Sequence, residues 1–237
     1  MVVPWTDLSM PDSVLGTVIV PVLNEVRGID ARLTELMSGL RQRWKIVVCD
    51  GGSTDGTVEI LSQFPVTVVV SEPGRARQMN AGAALAEGPV LLFLHADTVL
   101  PTDFAEKMQA FLQSECHWGR FDVTLDQPSW YYKTISWFIN TRSALTGVCT
   151  GDQTLFMRLE FFQNLDGFAE LPLMEDVEWS LRARKVQWPY RIRTPVITSA
   201  RKWVEHGVVR TVLLMWWLRL AFRLGVNPHR LHRWYYG

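Results

Sequence analysis

Acidic side chains follow four separated apolar runs in this sequence. Glu25, Asp50, Glu72 and Asp97 each come shortly after such a run. Carboxylates can accept hydrogen bonds from sugar hydroxyls, ligate a hard divalent cation or take a proton in catalysis. Ordinary turn chemistry explains any single one of them, since Asp-Gly and Ser-Thr-Asp form turns readily. Four in succession favour a shared ligand site instead.

The apolar runs alternate with helical patterns over the first hundred residues. The spacing predicts strands at 17–20, 46–49, 66–70 and 90–94 and helices at 29–40, 57–64 and 77–87. Continuous Val, Ile and Leu runs are typical of strands buried on both faces, so we expect an α/β fold with a mostly parallel central sheet and helices on both faces. Ligands of such sheets bind beyond the carboxyl ends of the strands, which is where the acids fall.

The alternation is less regular after residue 101. Further helices are predicted at 103–113, 129–145 and 177–185, and further strands at 119–125, 154–158 and 190–198. Pro189 and Pro195 place the last strand at a sheet edge, because proline cannot donate to a sheet ladder. We divide the chain into an α/β domain, residues 1–200, and a basic amphipathic helical tail, residues 201–237.

The net charge of the 237 residues is zero but is distributed unevenly. The tail carries seven Lys and Arg against one Glu, which leaves 17 basic and 23 acidic residues in positions 1–200. This body lacks the basic surface of a nucleic-acid-binding protein. The three cysteines lack metal-ligand spacing, and the first residues lack the apolar stretch of a signal peptide, so reduced thiols and a cytoplasmic location are expected.

Two common nucleotide-binding motifs are absent from the sequence. The turn after the first strand lacks G-x-G-x-x-G, and no P-loop occurs, which disfavours a dinucleotide-binding Rossmann site and a P-loop nucleotidase. Side chains would therefore hold a nucleotide. Glu25 or Asp50 could accept hydrogen bonds from a ribose or a base, and Gly51 would let the backbone approach closely.

The motifs taken together closely resemble those of family 2 glycosyltransferases with the A-type, Rossmann-like fold. They are P-x-x-N-E at 21–25, D-G-G-S-T-D-G-T at 50–57, G-R-A-x-x-x-N-A-G at 74–82, x-A-D at 95–97, G-D-Q at 151–153, D-G-F at 166–168 and E-D at 175–176. The resemblance runs from about residue 17 to residue 185, and it implies that residues 1–200 form a glycosyltransferase A-type catalytic domain. It implies an inverting transfer of a sugar from a nucleotide-sugar, with a UDP-sugar as the expected donor and GDP- and dTDP-sugars left open.

The resemblance also implies roles for individual residues. The nucleotide pocket would be lined by Pro21, Asn24, Glu25, Asp50, Gly51, Ser53, Asp55, Arg75, Arg77 and Asn80. Asp176 would be the general base that takes the proton of an acceptor hydroxyl, with Glu175 orienting it or the acceptor. The alternative for this pair is that two acids at a helix N-terminus stabilise the helix dipole.

Asp97 matches the last acid of a D-x-D motif that binds Mn²⁺ or Mg²⁺ at the donor diphosphate. His95 replaces the first acid of that motif, and an imidazole ligand favours Mn²⁺ over Mg²⁺. His95 could instead cap the strand end without touching the metal. Such a cation would neutralise charge on the departing diphosphate.

Four residues are expected on the acceptor side. Gly151 and Asp152 would face the acceptor or the transferred sugar. Arg201 and Trp203 faintly resemble the R-W element of processive relatives, but the glutamine that should precede it is missing. A solvated basic turn with Trp203 packed in the core is the alternative.

The tail is predicted to form an apolar helix over 208–224. Its uninterrupted apolar stretch, between Arg210 and Arg219, is too short for a membrane span, which needs about 20 residues. Its tryptophans and flanking arginines suit a helix lying on anionic lipid at the inner face of a membrane. Packing against the sheet or a partner subunit is the alternative. The acceptor could be a lipid phosphate, a saccharide or a small metabolite, and the sequence indicates no oligomeric state.

Two other functions stay open at this point. A nucleotidyltransferase has a similar α/β layout but usually a glycine-rich loop with a basic residue after its first strand, where this chain has Val-Leu-Asn-Glu. A non-catalytic, membrane-associated nucleotide-sugar-binding module would fit the loss of one acid at His95. The intact Asp97, Glu175 and Asp176 favour an enzyme.

Overall fold

The computed structural model describes residues 14–40 and 43–236. Its seven strands form one sheet in the order β3-β2-β1-β4-β6-β5-β7. The strands are β1 Gly16–Val22, β2 Trp44–Asp50, β3 Thr67–Val70, β4 Val90–Phe93, β5 Trp118–Leu125, β6 Leu155–Arg158 and β7 Tyr190–Thr198. All neighbours pair in parallel except that β6 runs antiparallel to both β4 and β5. The predicted mostly parallel α/β sheet is confirmed, and β7 lies at its edge as expected.

Ten α-helices occur in the described part of the chain. They are α1 Ile29–Leu40, α2 Thr57–Leu61, α3 Arg75–Ala84, α4 Phe104–Gln113, α5 Trp130–Thr146, α6 Leu159–Asn164, α7 Glu175–Val186, α8 Arg201–His206, α9 Val208–Arg223 and α10 Pro228–Tyr236. The sequence patterns did not predict α6 or the short 3₁₀ helix Gly151–Gln153. The predicted helical tail is confirmed, but only α9 had been given bounds within it.

The sheet is covered on both faces, because alternate strand residues point to opposite sides. Val18 and Val20 of β1 pack with α1, α4 and α5 on one face, whereas Ile19 packs with α3, α6 and α7 on the other. Trp179 of α7 is fully buried in this second cluster and meets Trp118 of β5 edge to face, with ring centroids 5.2 Å apart.

The carboxyl ends of β1 and β2 are joined by one buried side chain. The parallel register pairs Val22 with Asp50, so the two strands end side by side. Gln78 of α3 is 3% exposed, and its Nε2 donates to the carbonyls of Val22, at 2.7 Å, and Cys49, at 2.8 Å. Gly51 lies directly against it, since a Cβ at Gly51 would come 3.1 Å from the Gln78 amide carbon. The Gln78 side chain therefore fixes the carboxyl ends of β1 and β2 relative to each other.

The tail helices pack on the body through one face. Leu218 and Ala221 of α9 and Leu231 of α10 are buried in a cluster with Val148 and Val177. The outer face of α9 leaves large apolar side chains exposed, among them Trp216 and Trp217. No helix among residues 14–40 and 43–236 is long and apolar enough to cross a membrane. The domain boundary at residue 200 stays a prediction.

Replacing Gln78 tests how much this amide contributes. Gln78→Met keeps the side-chain length but removes both hydrogen bonds, so we expect the free energy of unfolding to fall by about 1–3 kcal/mol. Urea denaturation measures it. Gln113→Met, at an exposed glutamine of α4, is the matched control and should change stability by less than about 0.5 kcal/mol. Equal effects of the two substitutions would contradict the role of Gln78.

Candidate active site

Polar side chains hydrogen-bond the loop after β1 to the loop after β2. Asp50 is 1% exposed, and its Oδ2 accepts the N–H groups of Gly52, at 2.9 Å, and Ser53, at 3.0 Å. Its Oδ1 accepts the Ser53 hydroxyl at 2.5 Å. That hydroxyl in turn accepts the Asn24 N–H at 2.8 Å, while Asn24 Oδ1 accepts the Thr54 N–H at 2.9 Å. Asp50, Asn24 and Ser53, all predicted to line the nucleotide pocket, thus fix a wall of two loops at the carboxyl ends of β1 and β2.

Asp55, like Asp50, accepts hydrogen bonds that hold these loops in place. Its Oδ1 accepts the N–H and the hydroxyl of Thr57, at 3.1 and 2.5 Å, and its Oδ2 accepts the Val26 N–H at 3.1 Å. The Thr57 hydroxyl contributes most to lowering the pKa of Asp55. The charged carboxylate therefore starts α2 and fixes the loop that carries Glu25.

Glu25 and Arg201 face each other at this edge. Glu25 Oε1 lies 3.6 Å from Nη2 of Arg201. Burial raises the pKa of Glu25, Arg201 opposes this, and the charges of Asp97 and Asp55 add to it. Arg201, predicted on the acceptor side, is thus placed beside a residue of the predicted nucleotide pocket. Trp203 packs against the hydrophobic cluster that contains β1.

The three α3 residues that were predicted to line the nucleotide pocket contact different parts of the chain. Arg77 forms ion pairs with Glu72, at 2.5 Å, and Glu170, at 3.2 Å. Asn80 exchanges two hydrogen bonds with the backbone of Phe168, at 2.8 and 3.0 Å. Arg75 alone interacts with the acids of α7, Glu175 first and also Asp176, and with Tyr236 and Tyr235 of α10.

A second group of candidate site residues comes together at the start of α7. Asp176 Oδ2 accepts the N–H of Gly151 at 2.7 Å, and Oδ1 accepts the Val177 N–H at 2.6 Å. Gly151 also lies against His95, because a Cβ at this glycine would come 2.5 Å from Nε2 of the imidazole. Pro21 of β1 lines the same small pocket. Residues from β1, β4, the 3₁₀ helix and α7 are therefore brought together.

Burial controls the charge of two groups in this pocket. Glu175 is 5% exposed, and burial, followed by the charge of Asp176, raises its pKa from 4.5 to about 7 against the opposing effect of Arg75. Burial, followed by Arg75, lowers the pKa of His95. The charges of Asp97, Asp152 and Asp176 act on the pKa of His95 in the opposite sense.

The described residues contain no group of three or more His, Cys, Asp or Glu side chains arranged to hold a metal ion. Asp97 and His95 follow β4 in a turn in which the Thr98 N–H donates to the His95 carbonyl at 3.0 Å. This pair could supply two ligands at most. A cation here would need oxygen atoms from a bound diphosphate or from water to complete its coordination.

Sequence reasoning missed three side chains that the fold brings to the site. Gln78 lies in a matched motif but at one of its variable positions. Arg142 of α5 interacts with Asp152 and Asp176, and Tyr235 of α10 lies near Arg75. No spacing signal in the sequence connects α5 or α10 with the motifs.

The family model for glycosyl transferase family 2 matches residues 17–166, more than half of the chain. The chain belongs to this family. The match includes the loops after β1, β2 and β4 and the 3₁₀ helix, so it covers most of the acids described above. It favours the glycosyltransferase interpretation over a nucleotidyltransferase.

Curated relatives share about a quarter of their aligned residues with the chain. A dolichyl-phosphate beta-glucosyltransferase of Trichomonas vaginalis is 27% identical over 127 residues, covering 47% of this chain and 38% of that protein. An undecaprenyl-phosphate 4-deoxy-4-formamido-L-arabinose transferase of Aeromonas hydrophila is 28% identical over 160 residues, covering 62% and 49%. The chain thus matches less than half the length of either relative.

Solved structures share the fold. TarS of S. aureus in complex with UDP has a TM-score of 0.59 at 19% identity, covering 77% of this chain and 60% of that one. The mannosyltransferase PcManGT of Pyrobaculum calidifontis, in complex with GDP-Man and Mn²⁺, has a TM-score of 0.58 at 22% identity, covering 77% and 55%. The expected glycosyltransferase A-type fold is confirmed.

The raised pKa of Glu175 predicts a pH-dependent stability. A folded protein that binds this proton more tightly than the unfolded chain loses stability as pH rises from about 4.5 to about 7. Glu175→Gln removes the titration, so it should stabilise the protein by about 1–3 kcal/mol more at pH 8 than at pH 5, relative to wild type. Urea unfolding at both pH values measures this. Glu160→Gln, at an exposed acid of α6, should change the free energy of unfolding by the same small amount at pH 5 and pH 8. An equally pH-independent change for Glu175→Gln would contradict the raised pKa of Glu175.

Proposed function

We propose that this chain is an inverting glycosyltransferase that takes a sugar from a nucleotide-sugar and uses Asp176 as general base. The observation that carries the proposal is the convergence of Asp176, Gly151 and His95 at the strand edge where the loops after β1 and β2 form a preformed wall. Relatives in the same family support the reaction class. UDP-sugars are the first donors to test, because the TarS structure with a similar fold holds UDP.

The residues divide the work between donor and acceptor. The wall formed by Asp50, Asn24 and Ser53 would position the nucleotide. Arg201 would place a cation near the departing diphosphate. Asp176 accepts two N–H groups and keeps two of its four lone-pair sites, so it can still accept the proton of an acceptor hydroxyl. That oxygen would attack the anomeric carbon from the face opposite the diphosphate, which inverts its configuration.

Asp97 and His95 would hold Mn²⁺ or Mg²⁺ together with the donor. The mixed oxygen and nitrogen ligands suit Mn²⁺ better. When bound, the cation supplies positive charge that stabilises the departing diphosphate. PcManGT, with a similar fold, was solved with Mn²⁺. Two protein ligands imply that metal and donor bind together.

Asp176→Asn tests the assigned base. It keeps the side-chain shape but cannot accept the proton, so release of nucleoside diphosphate from the donor should fall by about 10²–10⁴-fold while donor binding is retained. Coupled-assay turnover and calorimetry measure the two quantities, and NMR of the product reports the anomeric configuration. Asp30→Asn, an acid in the first turn of α1, is the matched control for a helix-dipole role. Unchanged turnover in Asp176→Asn would contradict the assignment.

We also propose that the outer face of the tail contacts an anionic membrane surface. The tail-helix face consists of exposed apolar side chains of α9, its C-cap residue Leu224 and α10. The residues of the two helices are Val209, Leu213, Trp216, Trp217, Leu220 and Trp234. Exposed arginines flank it, at 210, 223, 230 and 233. Tryptophan at the headgroup level with arginine on anionic lipid is the chemistry of an interfacial helix. Such contact would place the enzyme at the cytoplasmic face and near a lipid-linked acceptor.

Vesicle binding tests the tail-helix face. Wild-type protein should co-sediment with vesicles containing phosphatidylglycerol more than with pure phosphatidylcholine, and less at high salt. The double substitution Trp216→Ser and Trp217→Ser should weaken binding by about tenfold or more, since it removes two large apolar groups. Trp188→Ser, at an exposed tryptophan outside the tail, should leave binding unchanged. Equal binding of all three proteins would overturn this proposal.

A further inference from the structure

Two arginines from distant parts of the chain lie together beside the catalytic acids. Arg142 is on α5 and Arg219 is on α9, and both are half-buried. Neither forms an ion pair within 4.0 Å in the described part of the chain. Asp152 and Asp176 attract Arg142 from further away. The guanidinium donors are thus not taken up by a carboxylate.

Arg142 is held loosely by the segment that leads into the site. Its Nη1 donates to the Val148 carbonyl and its Nη2 to the Thr150 hydroxyl, both at 3.3 Å. Its Nε is buried and has no hydrogen-bond partner. Leaving a buried N–H without an acceptor is unfavourable. Thr150 is followed directly by Gly151, which donates to Asp176, so this arginine adjoins the general base.

The packing of α9 brings the second cation to the same place. Leu218 is fully buried in the cluster that contains Val148 and Val177. Arg219 follows it in sequence and is close enough that its charge, after burial, helps to lower the pKa of Arg142 to about 10. Two guanidiniums in one partly buried place repel each other, and an anion between them would remove that repulsion.

We propose that Arg142 and Arg219 bind the phosphate group of a phosphomonoester acceptor. Guanidinium groups present paired N–H donors that match phosphate oxygens. A phosphate here would give Arg142 the oxygen acceptors it lacks. The site lies beside Asp152 and Asp176, on the acceptor side, whereas Arg201 and Glu25 lie on the donor side. The inference rests on the proposed function, and the phosphate could belong to a lipid or to a soluble metabolite.

Calorimetric titration of the full chain at fixed ionic strength tests the site. The probes are citronellyl phosphate, a short prenyl phosphate, glycerol 3-phosphate, inorganic phosphate and citronellol, which lacks the charge. The variants are Arg219→Met and Arg142→Lys, which keeps a cation but loses the paired donors. Arg193→Met, at an exposed arginine of β7 outside the tail, is the matched control. Each protein is also titrated with the nucleotide-sugar donor.

We expect the phosphates to bind wild type and Arg193→Met, with affinity reduced about tenfold or more in Arg219→Met and in Arg142→Lys, and no binding of citronellol. Tighter binding of citronellyl phosphate than of glycerol 3-phosphate would indicate a lipid source, and equal binding a soluble one. If Arg142→Lys does not fold, Arg219→Met alone decides.

Three results would overturn the inference. They are no phosphate binding by wild type, equal losses in all three arginine variants, and competition between the phosphate probe and the donor, which would assign the cluster to the donor site. Donor binding distinguishes the two proposals. If wild type binds the donor but no phosphate probe, this inference fails and the proposed function stands. If wild type binds no donor, the proposed function is contradicted whatever the phosphate probes show.

Discussion

The parallel register of β1 with β2 and β4 is the constraint on which the site depends. It ends the three strands at one edge, with Val22 beside Asp50 and Ile19 beside Phe93. The polar residues that follow each strand are therefore delivered to the same place. Backbone groups that leave a sheet need new partners, and here Gln78 and the side chains of the two loops provide them. These loops are thus fixed by contacts within the chain.

The acids of the site divide into two kinds by what they contact. Asp50 and Asp55 accept hydrogen bonds from their own loops and so define shape. Asp176 keeps free lone pairs, and Glu175 sits in a pocket where burial disfavours its charge. The arginines near these acids come from other helices. They are Arg75 of α3, Arg201 of α8, Arg142 of α5 and Arg219 of α9. Distributing the charges over separate elements allows like charges to stand close, because each element is held by its own packing.

Local patterns predicted most of the fold and the positions of the loops that follow β1, β2 and β4. Apolar runs and strand-end acids are signals within a few residues of each other, so β1 to β4 and the loops carrying Asp50 and Asp97 could be located. The antiparallel direction of β6 and the path of α10 could not, because they depend on packing between distant segments. Arg142 and Arg219 are far apart in sequence, and their meeting follows from the burial of Leu218. For the same reason Arg201 could be identified as a candidate, while its position beside Glu25 required the structure.

Donor binding tests the central claim most directly. A panel of nucleotide-sugars, titrated calorimetrically with and without Mn²⁺ into wild type and Asp97→Ala, would measure whether metal and donor bind together at this edge. We predict that one donor binds wild type in the presence of Mn²⁺ and that omitting the metal or removing the carboxylate weakens this binding by about tenfold or more. Folded wild-type protein that binds none of the donors with Mn²⁺ present would contradict the account.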